Sequence, residues 1–196
     1  ASGTGSVNLK YIVFRGILTQ NEYADAQAST LVGQANAIGA MAIGAVLYSN
    51  TPEYGTNPPT IASFSSRGGT PVDGITRIKP DFAAPNGVNT SVDFGSFNID
   101  GDAFPNFFGT SAAAPHAAAV AALMLEAKQK YYGSSLSPLE VRGILQNTAR
   151  DMGDPGFDFT TGFGFIQPDS ALSELANPRP VVTALVYDTT KVPGFE

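Results

Sequence analysis

The residue types and spacing best suited to chemistry lie in one run, Phe108-Gly109-Thr110-Ser111-Ala112-Ala113-Ala114-Pro115-His116-Ala117. An extended piece ends at a glycine, and a serine follows at the mouth of an apolar helix. A helix amino terminus carries unpaired N–H groups and partial positive charge. A serine oxygen there is placed for nucleophilic attack, and its own backbone N–H can face a developing oxyanion. The small neighbours let a substrate carbonyl approach. Pro115 removes a helical hydrogen bond near the start, so a loosened first turn or a late helix start is expected. A lone Gly-Thr-Ser would more simply be a helix cap; the ten-residue context is what raises the chemical reading.

Other residue counts narrow that chemistry. The chain has no cysteine, which excludes disulfides, thiolate metal sites and cysteine nucleophiles. It has one histidine, His116. Five residues along a helix amount to about 500° of rotation and roughly 7.5 Å of rise. That turns the imidazole away from Ser111, so a partly buried histidine bonded within the core is expected rather than a catalytic base. With 11 basic and 17 acidic residues the formal net charge is −6, which argues against nonspecific nucleic-acid binding and an anionic membrane partner. Charged residues are 14% of the chain, against roughly 25% in an average globular protein. So few charges imply extensive burial, or a face that a missing partner covers. No charged-plus-apolar leader opens the chain, so no signal peptide is expected in it. The longest apolar stretch, Ala112 to Leu125, is too short and too alanine-rich to span a bilayer.

The elements that must position Ser111 are legible in part. Residues 9–14 read as a strand, and 40–47 as a short apolar strand of the kind found in a parallel sheet covered on both faces. Loops follow around Thr51–Pro59 and Gly68–Gly74, with Ile61 to Phe64 a candidate strand between them. Phe82-Ala83-Ala84 and Val88 to Val92 are extended pieces divided by Pro85-Asn86-Gly87. Asp100-Gly101 signals a hairpin turn between Phe94–Ile99 and Phe104–Phe108. From Ala117 to Leu125 nearly every position is apolar, as in a buried central helix, with Lys128 and Lys130 near its end and Gly133 as a stop. Ser137 as N-cap, Pro138, Glu140 and the Leu136–Val141 pair together predict the next helix, with Val141, Ile144, Leu145 and Thr148 on its inner stripe. A loop over 151–159 leads to Gly162-Phe163-Gly164-Phe165-Ile166, and Pro168 opens a short helix to about Leu175. Residues 177–196 read as a linker and the start of a following module.

The serine run resembles the nucleophile segment of subtilisin-like serine proteases, the subtilases, whose pattern is Gly-Thr-Ser-x-Ala-x-Pro-His. Phe64-Ser65-Ser66-Arg67-Gly68, Lys79-Pro80-Asp81-Phe82-Ala83-Ala84-Pro85 and Ala42-Ile43-Gly44-Ala45-Val46 are similar to three further segments of that family. Val141 to Ala149 and 162–166 match the elements that close its fold. The resemblance runs in family order over about residues 28–175. It implies a partial three-layer α/β subtilisin-like fold with a mostly parallel sheet and a central buried helix. It makes residues 1–176 the carboxy-terminal part of a peptidase domain.

The implied function is a secreted or cell-surface serine endopeptidase acting on polypeptides through an acyl-enzyme at Ser111. Thr110 and Asn21 are the oxyanion candidates; Asn21 lies 23 residues before Gly44 but lacks the family's Ala-Gly-Asn context. Gly33 to Asn36 could border the specificity pocket. The family's upstream Asp-[Thr/Ser]-Gly and His-Gly-Thr segments do not occur here; Asp73 and Asp100, each followed by glycine, are in turns. His116 matches the family's structural histidine. This chain alone is therefore expected to be inactive, its triad partners lying in a missing amino-terminal half. The alternative is a catalytically dead, protease-derived binding module. No cofactor or metal site is implied, although Asn98, Asp100 and Asp102 could take calcium. Asp158, before Thr160-Thr161-Gly162, resembles a calcium aspartate of the sedolisins, while His116 after Pro115 favours the subtilases.

Overall fold

A computed structural model of the chain describes residues 29–93, 95 and 97–176. The strand expected over 9–14, the candidate Asn21 and the segment 177–196 lie outside the described residues. The described residues divide into two units, one of 29–117 with 149–166, the other of 118–148 with 167–176.

The first unit is built on a parallel strand pair, β1 (Ile43–Leu47) and β4 (Phe82–Asn86), in register with Ala45 opposite Ala84. Both runs are short and apolar because both faces are covered: Ala45, Val46, Phe82, Ala83 and Ala84 are fully buried. Phe165 adds a third row, bridging Ala83 in parallel and Arg150 in antiparallel fashion. Val46, Ala83, Met152 and Phe165 form the core, with Ile61 against it. The glycine at 164 is dictated by close approach, since a Cβ there would lie 2.1 Å from the Arg150 carbonyl oxygen.

Ile61 to Phe64 does not form a strand. Ile61 makes one antiparallel bridge to Val46, and Ala62 donates to the Ala45 carbonyl at 2.7 Å. The chain then turns, and the Ser65 hydroxyl accepts the Ala45 N–H at 2.9 Å. A side chain thus takes the place that a strand neighbour's backbone would fill.

The Lys-Pro-Asp run is a buried clamp. Lys79 Nζ lies 2.7 Å from Asp81 Oδ2, with both side chains 4% exposed. The ammonium also donates to the Ala40 carbonyl, and Asp81 Oδ2 accepts the Ala42 N–H at 2.8 Å. One ion pair therefore ties the entry of β1 to the entry of β4.

Two small hairpins complete the unit. β2 (Pro71–Val72) and β3 (Ile75–Thr76) pair around Asp73-Gly74, both with positive φ, as a two-residue turn requires. This places strands inside what reads from sequence as a loop. The turn at Asp100-Gly101 differs from expectation. β6 (Asn106–Phe107) pairs with β5 (Val88–Asn89), and residues 97–105 form a loop beside it. Side chains explain the change: Asn98 Oδ1 accepts the Gly101 N–H at 2.6 Å and Asp102 Oδ1 that of Phe104 at 2.7 Å. Asn and Asp side chains compete with the ladder for backbone donors.

Helix α1 (Thr110–Tyr132) starts seven residues before Ala117 and runs through Pro115 without a break. The proline lacks the N–H that would meet the Ser111 carbonyl, so only that one helical bond is lost. Ala113, Ala117, Val120 and Met124 form a buried stripe, with Ala112 buried beside it in the first turn, whereas Leu123 and Leu125 remain 46% and 38% exposed. An alanine-rich helix is apolar on every side, so its composition does not say which side is covered.

In the second unit α2 (Pro138–Thr148) has its expected reciprocal cap. The Ser137 N–H donates to Glu140 Oε2 at 2.7 Å, and the Glu140 N–H to Ser137 Oγ at 3.3 Å. Leu136 and Val141 are both buried, as a hydrophobic staple demands. Of the inner stripe, Val141 and Leu145 are buried and Ile144 partly so. α3 (Pro168–Ser173) follows, shorter than expected, and a turn continues to Leu175. Gly133 stops α1 in the left-handed conformation, φ +64°, its N–H bonded to the Gln129 carbonyl at 3.0 Å.

The Ser137 bonds hold the Glu140 carboxyl below the usual carboxylate range. Its folded-state value is depressed, so its stabilisation is present above the unfolded value and is lost as pH falls through the folded one. Ser137→Ala should cost about 1 kcal/mol in urea unfolding at neutral pH. Glu140→Gln should flatten the acid side of the stability profile; an unchanged profile would remove the carboxylate from the cap.

Candidate functional site

Ser111 stands in the first turn of α1, and the segment just before it is tethered to the carboxyl end of β4. The path to it is set by two asparagines. At the end of β4, Asn86 accepts the Gly109 N–H on Oδ1 at 3.3 Å. Asn106, on β6, places Nδ2 at 3.0 Å from the Gly87 carbonyl, 2.9 Å from Asn89 Oδ1 and 3.2 Å from Asp100 Oδ2. Its Oδ1 accepts the Ile99 N–H at 2.8 Å. The Gly87 N–H in turn donates to the Phe107 carbonyl at 2.9 Å. Gly87 must be glycine: its φ is +75°, and a Cβ would meet Leu47 Cδ1 at 2.5 Å.

Gly109 then turns the chain, with φ +97°. Its carbonyl accepts the N–H groups of Ala112 at 3.0 Å and Ala113 at 3.3 Å. This uses two of the first-turn donors. Ser111 itself is exposed, and neither its N–H nor its hydroxyl has a partner among the described residues. Thr110 is also exposed at the helix start. The arrangement leaves a hydroxyl and a backbone donor facing outward from the positive end of a 23-residue helix.

His116 is partly buried, and its Nδ1 lies 2.7 Å from the Ala112 carbonyl oxygen on its own helix. A carbonyl accepts only, so Nδ1 carries the proton and the ring is committed to the helix rather than to Ser111. Gly33–Asn36 forms a 3-10 turn in which Asn36 is buried, its Oδ1 without a partner.

The carboxylates that could suit calcium are occupied within the loops. Asp100 Oδ2 accepts from Asn106 Nδ2 and from the Tyr48 hydroxyl, each at 3.2 Å. The Asn106 bond above all holds the Asp100 carboxyl below the usual carboxylate range. Asp102 accepts from Phe104 N–H and Asn89 Nδ2. Asp158 caps the turn after it, accepting the N–H groups of Thr160 at 2.6 Å and Thr161 at 2.8 Å. Among the described residues no three His, Asp or Glu side chains converge as a metal site.

Sequence reading names Ser111 as the candidate nucleophile and His116 as a core-bonded histidine, and it names neither Asn86 nor Asn106. The signal present was Asn86-Gly87 at a strand end, which reads as a turn; the long-range bonds it makes have no local signature.

Comparison with known proteins agrees with this architecture. The model of the subtilase family matches residues 17–164. Fervidolysin of Fervidobacterium pennivorans is 33% identical over 57% of this chain and 16% of its own length. The CO(2)-response secreted protease of Arabidopsis thaliana is 32% identical over 76% of this chain and 20% of its own. Among solved structures, the Clostridium perfringens CspB protease superposes with a TM-score of 0.53 at 22% identity, over 74% of this chain and 28% of that one. The chain thus spans a fifth or less of these two curated relatives. The motifs stand in family order on a partial α/β subtilase fold, and the chain belongs to the subtilase family.

Proposed function

We propose that this chain is the carboxy-terminal part of the catalytic domain of a serine endopeptidase, with Ser111 as its nucleophile. The carrying observation is the exposed, unpartnered Ser111 hydroxyl and N–H at the start of α1. Ser111 Oγ attacks the carbonyl carbon of a peptide bond. The oxyanion of the tetrahedral intermediate is held by the Ser111 N–H, with Thr110 beside it. The C–N bond breaks, the amine leaves with a proton, and water releases the acyl group. The base that takes the Ser111 proton, and the carboxylate that orients it, come from polypeptide outside this chain, as does the remaining oxyanion donor unless Asn21 supplies it. His116 is the chain's single histidine and is bonded to its own helix. A serine without a base is weakly nucleophilic, so the chain alone is inactive. The similarity to a relative named as a secreted protease supports an extracellular setting. No described helix is long and apolar enough to cross a membrane.

A fluorophosphonate probe tests the reading. The longest natural polypeptide that carries this chain should label at Ser111, and the 196-residue chain by itself should not. Rapid labelling of the isolated chain would overturn the missing-base account. Absence of labelling in the longer polypeptide would favour a protease-derived binding module.

A further inference from the structure

Asn86 is 1% exposed, yet its amide is only half used: Oδ1 accepts the Gly109 N–H, while Nδ2 has no hydrogen-bond partner among the described residues. A buried unsatisfied donor costs stability, and an apolar side chain of similar size would remove that cost. Such a residue is kept against stability where function needs it. The bond it does make falls on the peptide two residues before Ser111. Gly109 lies at φ +97°, a conformation from which the chain could rotate freely, since glycine has no side chain to restrict it. Asn86 fixes the Phe108–Gly109 peptide through its N–H, and the first turn of α1 fixes the Gly109–Thr110 peptide through the Gly109 carbonyl. Asn86 itself is set by β4, whose partner strand places Leu47 opposite it. The rigid sheet end is thereby linked to the nucleophile by one hydrogen bond and two residues of chain.

We infer that Asn86 is a positioning residue for Ser111, its amide oxygen setting the Gly109 peptide plane and with it the direction of the serine hydroxyl. The inference rests on Ser111 being the nucleophile. Small displacements of a reacting group cost much more in rate than in stability, on the order of 10²-fold for about 1 Å.

The test uses the longest natural polypeptide that carries this chain, comparing wild type with Asn86→Ala, Asn86→Asp and Ser111→Ala. The measurements are fluorophosphonate acylation rate per titrated site, kcat and KM for a peptide substrate, and Tm. Asn86→Ala should acylate about 10-fold or more slowly, with kcat lowered, KM nearly unchanged and Tm within a few degrees of wild type. Asn86→Asp keeps an oxygen acceptor for the Gly109 N–H in either protonation state, so it should retain far more of the wild-type acylation rate per titrated site than Asn86→Ala. An Asn86→Ala enzyme that acylates as fast as wild type per titrated site overturns the inference, even if its Tm and active fraction drop, because Asn86 would then only support the fold. If Asn86→Ala does not fold, Asn86→Leu, of similar size and without an acceptor, takes its place, and acylation per titrated site at the wild-type rate overturns the inference equally. If the wild type labels elsewhere than Ser111, or Ser111→Ala labels as well as wild type, the nucleophile assignment fails first and the inference with it.

Discussion

Ser111→Ala, in the longest natural polypeptide that carries this chain, is expected to abolish fluorophosphonate labelling and to lower kcat by a factor on the order of 10³–10⁶. In the proposed mechanism the hydroxyl is the attacking group, and Ala112 and Ala113 after it carry none. The fold should not notice the change. Ser111 is exposed, its hydroxyl has no partner among the described residues, and alanine is the better helix former. Circular dichroism and Tm should therefore match wild type while active-site titration gives no burst. His116→Gln provides the contrast. Its imidazole is spent on the Ala112 carbonyl, so the variant should keep most of the activity. A loss as deep as that of Ser111→Ala would make His116 the base and would sink the proposal that the base comes from outside the chain.

Lys79→Met is expected to destabilise the fold by about 3–5 kcal/mol in urea unfolding, most of the stability of a marginal domain. The magnitude follows from what remains behind. Asp81 stays buried at 3% exposure with its partner charge gone, and the Ala40 carbonyl loses its donor. The pair itself is worth less than this number, because both charges were desolvated to form it. Lys79→Met with Asp81→Leu should therefore recover part of the loss. Recovery should be incomplete, since the Ala42 N–H loses its acceptor at Asp81 Oδ2. A Lys79→Met chain that unfolds at wild-type urea concentration would show that the clamp between the entries of β1 and β4 is not structural.

Sequence alone determined those features whose cause is local. Continuous apolar runs with small residues marked 40–47 as a strand of a parallel sheet and 82–84 as extended, because a strand covered on both faces has no polar side to show; the structure pairs 43–47 with 82–86. The Ser137-Pro138-Leu139-Glu140 run gave the start of α2, since a capping box is completed within four residues. The Gly-Thr-Ser run, read with its motif neighbours, gave the candidate nucleophile, and a five-residue helical offset gave the direction of His116. What only the tertiary structure decided involves partners distant along the chain. Ser65 replaces a strand neighbour across 20 residues, which turns the expected strand at 61–64 into a bridge and a turn. β6 forms its ladder with β5, and Asn106 holds the segment just before Asp100 only by its N–H to the Phe97 carbonyl and its Oδ1 from the Ile99 N–H. The Asn86 bond to Gly109 spans 23 residues. Side-chain amides and hydroxyls choose among many backbone groups of equal chemistry. Periodicity and propensity cannot rank those choices; the geometry of the packed sheet end does.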